Sequence, residues 1–205
     1  MVDERLFSSE DFNKCIDFHG HICPGIVIGY RASKAGMEWL EENRASDEEI
    51  VSIVETNACG VDAVQVLTGC TFGKGNLIFK DYGKQVFTFL SRKSGLGIRF
   101  ALKAGCVPSS ERHAQLMKAV SRGDASKEEK EEFQELHRER AGMILARPLE
   151  ELFSISFART KMPDRARIDS SRPCALCGEP TMESKLVKKD DKMICMECLE
   201  RLSQQ

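Results

Sequence analysis

Polar and apolar positions change rhythm several times along this chain, and the changes mark its elements. Ser8-Ser9-Glu10-Asp11 is a capping-box pattern, and Phe12, Cys15 and Ile16 follow at helical spacing. This predicts a short helix ending near Gly20. Pro24 suits the first turn of a second helix running to about Asn43, with Ile28, Ala32, Ala35 and Trp39 on one face. Gly25, Gly29 and Gly36 on that helix permit close approach of a neighbour.

The rhythm then shortens. EIVSIVE, Glu49 to Glu55, is rich in β-branched residues and reads as a strand. TNACGVDAVQVLTG reads as a turn and a helix ending at Gly69, and GCTFGKGN as a loop. NLIFK, QVFTFL and GLGIRF are three strand candidates, read as a meander, with turns at Tyr82-Gly83-Lys84 and Ser94-Gly95. Helices are expected at about 109–121 and 126–146, the second opening at Ser126 with Phe133, Leu136, Ile144 and Leu145 as its apolar positions. LFSISFA, Leu152 to Ala158, is a further strand. Helix, strand, helix, then strands makes an α+β fold around a mixed β-sheet, over residues 1–158. A polar stretch with five basic residues, 159–172, is expected to be a linker to a module at 173–205.

Composition excludes several classes. Apolar residues are 41%, charged residues 30%, and the net charge is −2, so no field calls for nucleic acid. No apolar run is long enough to span a bilayer, and the acidic start MVDERLFSSEDF does not resemble a signal peptide. The expectation is a cytoplasmic protein without a membrane partner. There its nine cysteines, an odd number, are better explained by metal binding or catalysis than by disulfides.

Four of those cysteines form two C-x-x-C pairs, Cys174/Cys177 and Cys195/Cys198, seventeen residues apart. That spacing completes a closed, tetrahedral, structural zinc site, with Zn–S near ~2.3 Å. A module of this size needs the metal in order to fold. A last helix is expected to begin at the second pair. The segment from Ser170 to Gln205 carries six Lys/Arg and six Asp/Glu, which leaves no phosphate-tracking face.

FHGHICPG, Phe18 to Gly25, holds two of the chain's four histidines. Three readings compete: packing residues, a metal site at His19, His21 and Cys23, or a reactive thiol with a histidine base. In an extended segment this alternation points all three ligands to one side. Cys59 falls where the next helix begins, and amide N–H groups and the helix dipole there favour a thiolate. It is a nucleophile, a ligand, or a buried structural cysteine. Should His21, Cys23 and Cys59 meet, they make three ligands with a fourth position open. GCTFGKGN fails as a phosphate loop on residue count. It is expected to line the pocket, with Lys74 near an anionic group and Cys70 and Thr71 adding polar contacts. Cys15 and Cys106 are expected to pack. His113 and His137 are expected to be surface or core residues.

FHGHICPG, ETNACGVDAVQVLTGCTFGKGNL, and KDYGK with QVFTF together resemble the FmdE family, named for the E subunit of formylmethanofuran dehydrogenase, over most of residues 12–100, and an archaeal member with a fused zinc finger in particular. The resemblance implies an α+β core like the C-terminal domain of glyceraldehyde-3-phosphate dehydrogenases. Cys59 then falls at the place of their reactive cysteine. It also implies a homodimer and a metal, zinc being the expected ion, near the His/Cys motif, with Asp62 supporting the ligands. The named complex reduces carbon dioxide to a formyl group using molybdenum or tungsten and iron–sulfur centres. This chain has no domain for the first and no cysteine run for the second. Two readings follow. One is a metal- or thiol-dependent oxidoreductase or transferase, with Cys59, His21 and Lys74 acting on a small anionic or carbonyl substrate. The other is an accessory subunit docking onto a larger redox complex, or a regulatory zinc-finger protein.

Overall fold

The structure is a computed structural model and describes residues 7–107 and 109–204. The chain divides into two compact units, residues 1–165 and 166–205. In the first, α1 (Glu10–His19) is capped by Ser9, whose hydroxyl accepts the Phe12 N–H, and α2 (Pro24–Leu40) starts on Cys23. The second helix ends at Leu40, short of Asn43, because Glu41 turns left-handed with φ 53°. β1 (Ile50–Val54), α3 (Gly60–Thr68), β2 (Leu77–Phe79), β3 (Val86–Ser91) and β4 (Gly97–Leu102) follow. Then come α4 (Glu111–Arg122), α5 (Lys127–Ala146) with the Ser126/Glu129 capping box, a single turn α6 (Leu149–Leu152), and β5 (Phe153–Phe157). No helix among the described residues is long and apolar enough to cross a membrane.

The sheet order is β2-β1-β3-β4-β5, a mixed sheet, as expected of an α+β fold. One feature differs from the expected meander. β2 does not pair with β3; it lies parallel to β1 on the opposite edge, Ser52 beside Leu77. α3 is the crossover that a parallel pair requires, so β1-α3-β2 forms a βαβ unit. Only β1, β3, β4 and β5 are joined antiparallel.

Every residue of β1 and β3 is buried, because both faces of the sheet are covered. The main core joins Phe12, Ile26, Ala32 and Ile144 to Phe87, Phe89, Phe100 and Phe153. On the other face Val51, Ile53 and Leu90 pack with Ala158 and Met162. Arg92 donates to the Pro163 and Asp164 carbonyls, fastening the start of the stretch read as linker. Trp39, expected on the buried face of α2, is instead partly exposed and meets Phe157 edge-on at 5.7 Å.

The second unit contains two hairpins, β6 (Ser171–Pro173) with β7 (Pro180–Met182) and β8 (Leu186–Lys189) with β9 (Lys192–Cys195), and then α7 (Met196–Ser203). The hairpins carry little hydrophobic periodicity, and the expectation included only the helix.

Candidate metal centres

Gly20 builds the first cluster. Its left-handed φ of 92° ends α1, and its N–H closes on the Ile16 carbonyl at 2.7 Å. His19 is therefore the last helical residue, His21 lies in the turn, and Cys23 caps the next helix. The three are not one extended segment as expected; only Cys23 has extended dihedrals. A helix end and a helix start, brought together by one glycine, do the gathering. The ligand atoms of His19, His21 and Cys23 all lie within 4.8 Å of one another.

His19 is oriented from both sides. Its Nδ1 is 2.7 Å from Asp62 Oδ2, and its Nε2 is 3.7 Å from Cys23 Sγ. A proton on Nδ1, given to the carboxylate, leaves the Nε2 lone pair facing the cluster. The His21 ring lies 4.5 Å from that of His19 and is exposed. Cys23 Sγ accepts the Ile26 N–H at 3.4 Å. Burial, helped by Cys59 and opposed by that N–H, pushes the Cys23 thiol up to about 11. A cation binding there must displace its proton.

Cys59 stands at the start of α3, half-buried, with no capping bond from its side chain. A Cβ added to Gly25 would lie 3.6 Å from Cys59 Sγ and 3.7 Å from Cys23 Sγ, so the two sulfurs flank one point in front of α2. One turn on, a Cβ at Gly29 would fall 2.0 Å from the Gly60 carbonyl oxygen. The two glycines let α2 and α3 touch backbone to backbone, and this contact brings Cys59 to the cluster. It stays outside the group whose atoms all lie within 4.8 Å.

The cluster separates two clefts. One, of about 460 Å³, is lined by His19, Asn57, Cys59, Asp62, Phe72 and Phe79. The other, of about 750 Å³, is lined by His21, Lys130, Phe133, His137 and Arg138. The largest cleft, about 910 Å³, lies against Lys34, Glu38, Glu41 and Arg44 and contains none of the cluster. Volume is therefore a poor guide here, and the donor chemistry is the better one.

Lys74 does not reach the cluster. Its ammonium donates to the Gly69 carbonyl at 2.8 Å and the Ala45 carbonyl at 3.2 Å, at the C-terminal end of α3. Cys59 is at the opposite end of a nine-residue helix, about 13 Å long. Cys70 is also not a pocket residue: it is fully buried and donates to the Ile50 carbonyl. Thr71 lines the largest cleft. Cys15 and Cys106 are buried packing residues.

Sequence reasoning missed the other two histidines as a pair. His113 Nε2 and His137 Nδ1 are 2.9 Å apart between α4 and α5, and His113 is buried. Burial, then His113 and Arg140, then His21, push His137 down to about 4. Twenty-four residues separate the two rings, so no local pattern could have marked them.

In the second unit Cys174, Cys177, Cys195 and Cys198 place all four sulfurs within 4.8 Å of one another. Gly178, with φ 78°, donates its N–H to the Cys174 carbonyl and closes the first knuckle. Backbone N–H groups of Cys177, Cys195 and Leu176 around Cys174 pull its thiol down to about 6, whereas burial and the three neighbouring sulfurs push Cys198 up to about 12. Four thiols this close cannot all ionise without a cation among them. The donor set fits one tetrahedral soft metal with no vacant position.

Residues 18–154 match the family model described as FmdE, Molybdenum formylmethanofuran dehydrogenase operon. A protein of Archaeoglobus fulgidus described as "Probable S-adenosyl-L-methionine-binding protein" is 37% identical over 189 residues, covering 89% of this chain but 50% of that protein. The chain thus spans about half the length of this curated relative. The crystal structure of an FmdE-like protein of the tungsten formylmethanofuran dehydrogenase type, from Syntrophus aciditrophicus, superposes with a TM-score of 0.59 over 97% of each chain, at 21% identity, and so shares the fold. With two thirds of its length under the family model, this chain belongs to the FmdE family.

Proposed function

We propose that the core of this protein is a metal-dependent site for a small carbonyl or formyl compound, and that the second unit is a zinc-stabilised module. The observation that carries the reading is the His19–Asp62 bond: a carboxylate 2.7 Å behind a histidine whose other nitrogen faces a cysteine sulfur and a second histidine. Such support from behind is what ligating histidines receive. His19, His21 and Cys23 would hold the ion, and zinc suits imidazole and thiolate together. When bound, the metal supplies Lewis-acid polarisation of a carbonyl oxygen. Cys59, at the mouth of the 460 Å³ cleft, would offer a nucleophilic sulfur to the carbonyl carbon. Asn57 and Thr56 line the same mouth and can orient the substrate. We further read the protein as a cytoplasmic homodimer that works alone or docked on a larger redox complex.

Elemental analysis of full-length protein is expected to give about two metals per chain, by the count of donor clusters. The His19→Ala/Cys23→Ala variant is expected to hold about one; two metals retained in it would end the core-site reading. Turnover of a formyl, aldehyde or thioester compound, lost in Cys59→Ala with metal content unchanged, separates the enzyme from an accessory subunit.

A second reading draws on the Archaeoglobus relative. Phe72, Phe79 and Asp62 line the Cys59 cleft, and aromatic faces beside a carboxylate suit a cationic sulfonium. Equilibrium dialysis with labelled S-adenosylmethionine tests it: saturable binding lost in Asp62→Asn and Phe72→Ala supports it, and no retention sinks it.

A further inference from the structure

The five-stranded sheet has two ends, and they are treated differently. β2 offers three residues and is followed at once by Lys80 and Asp81. Short length and adjacent charge are how an edge is protected from pairing. β5, at the other end, runs Phe153–Phe157 with no charge and no proline, and among the described residues no strand pairs with its outer side.

The ladder shows which groups face outward. Ala158 N–H donates to Gly97, and Lys103 N–H donates to the Leu152 carbonyl, each at 2.8 Å. With Ser156 beside Arg99 and Ser154 beside Ala101, the even-numbered residues exchange bonds with β4. By alternation, the N–H and C=O of Ile155 and Phe157 point away from the sheet. Their side chains share the core face with Phe153, yet exposure climbs along the strand: Phe153 1%, Ile155 42%, Phe157 73%. Trp39, 38% exposed, stands against Phe157. The hydrophobic core continues past the last strand without a cover.

We propose that a second copy of this chain covers it, β5 pairing antiparallel with β5 about a twofold axis at Ile155 to join two sheets into one of ten strands. This rests on the homodimer reading above and adds the surface. The twofold makes Ile155 face its own copy in a hydrogen-bonded pair and sets the exposed Phe157 of each copy beside the buried Phe153 of the other. Charge selects this occupant. Glu150 and Glu151 precede β5 and Arg159 and Lys161 follow it. In this register Glu151 lies opposite Arg159 of the second copy, twice. Glu151 already has a long contact, 3.8 Å, with Arg147 on its own chain, and both groups remain accessible. A self-complementary edge, with acid at one end and base at the other, fits an antiparallel copy of itself better than an unrelated strand.

Sedimentation equilibrium of the full-length, zinc-loaded protein tests this, with circular dichroism as the folding control. Wild type is expected to be a dimer. Ile155→Pro removes an outward N–H without touching the β4 ladder, so it should fold and weaken the dimer by about a hundredfold. Phe157→Lys should do the same and decides the matter if the proline variant does not fold. Glu151→Lys and Arg159→Glu should each weaken the dimer by about tenfold, and the double exchange should restore it. A dimer of unchanged strength in both Ile155→Pro and Phe157→Lys would overturn the β5 interface while leaving a homodimer by another face. A monomeric wild type would overturn both.

Discussion

The two metal centres use cysteine in opposite ways. In the module four sulfurs within 4.8 Å of one another are the whole donor set, and backbone N–H groups point at one of them. In the core one buried sulfur meets two imidazoles, a carboxylate stands behind one ring, and a further sulfur waits outside the tight group. A closed set of one donor type can hold a fold together. A mixed set between two clefts leaves room for a ligand. The contrast shows that coordination chemistry assigns roles here where cysteine count does not.

The largest expected difference comes from metal removal. Structural zinc in finger-sized modules carries about 10–16 kcal/mol of binding free energy. Chelation, or Cys198→Ala, should therefore unfold residues 166–205 while residues 1–165 keep their protection in amide hydrogen exchange. Equal loss of protection in both units would erase the contrast.

Next is Gly29→Ala. Its Cβ would fall 2.0 Å from the Gly60 carbonyl oxygen, a backbone atom that cannot swing aside. Separation of α2 from α3 should cost about 3 kcal/mol or more in chemical denaturation, at the upper end for overpacking. It should also lower core metal affinity and leave the module's metal in place.

Asp62→Asn sharpens the comparison from the core side. Losing the carboxylate behind His19 should weaken the core metal by about 10–100-fold in competition with a chromogenic chelator, with no change at the four cysteines. An unchanged core affinity would show that the His19–Asp62 bond merely packs α1 on α3.

The smallest effect is in pH. His137 is held at about 4, below the ordinary histidine value of 6.5. A depressed folded value means that this contribution to stability is complete above pH 6.5 and is lost as pH falls toward 4. It should be on the order of 2 kcal/mol after allowing for solvent screening. His137→Gln should flatten the stability profile of residues 1–165 in that window, and the module's profile should not respond.

Much of the core site was legible because its logic is local. Gly20, Pro24 and the His-x-His-x-Cys spacing sit within a few residues, and a helix start at Cys59 is marked by the strand before it and the glycine after it. Lys74 was misplaced for the same reason in reverse. A glycine-rich loop with a lysine suggests an anion, but this ammonium is occupied by two carbonyls at the far end of α3. Nothing local distinguishes a lysine that caps a helix from one that waits for a ligand.

By itself, the amino-acid order determined the helices, most of the strands and both knuckles, since capping, periodicity and loop chemistry act over a few residues. Tertiary structure alone decided that β2 crosses to the far side of β1, that His113 meets His137, that Cys59 reaches Cys23 through two glycines, and that β5 is left with an open edge. Those outcomes depend on which faces pack against one another across tens of residues. Packing is a competition among all surfaces of the chain at once, and no short window contains its result.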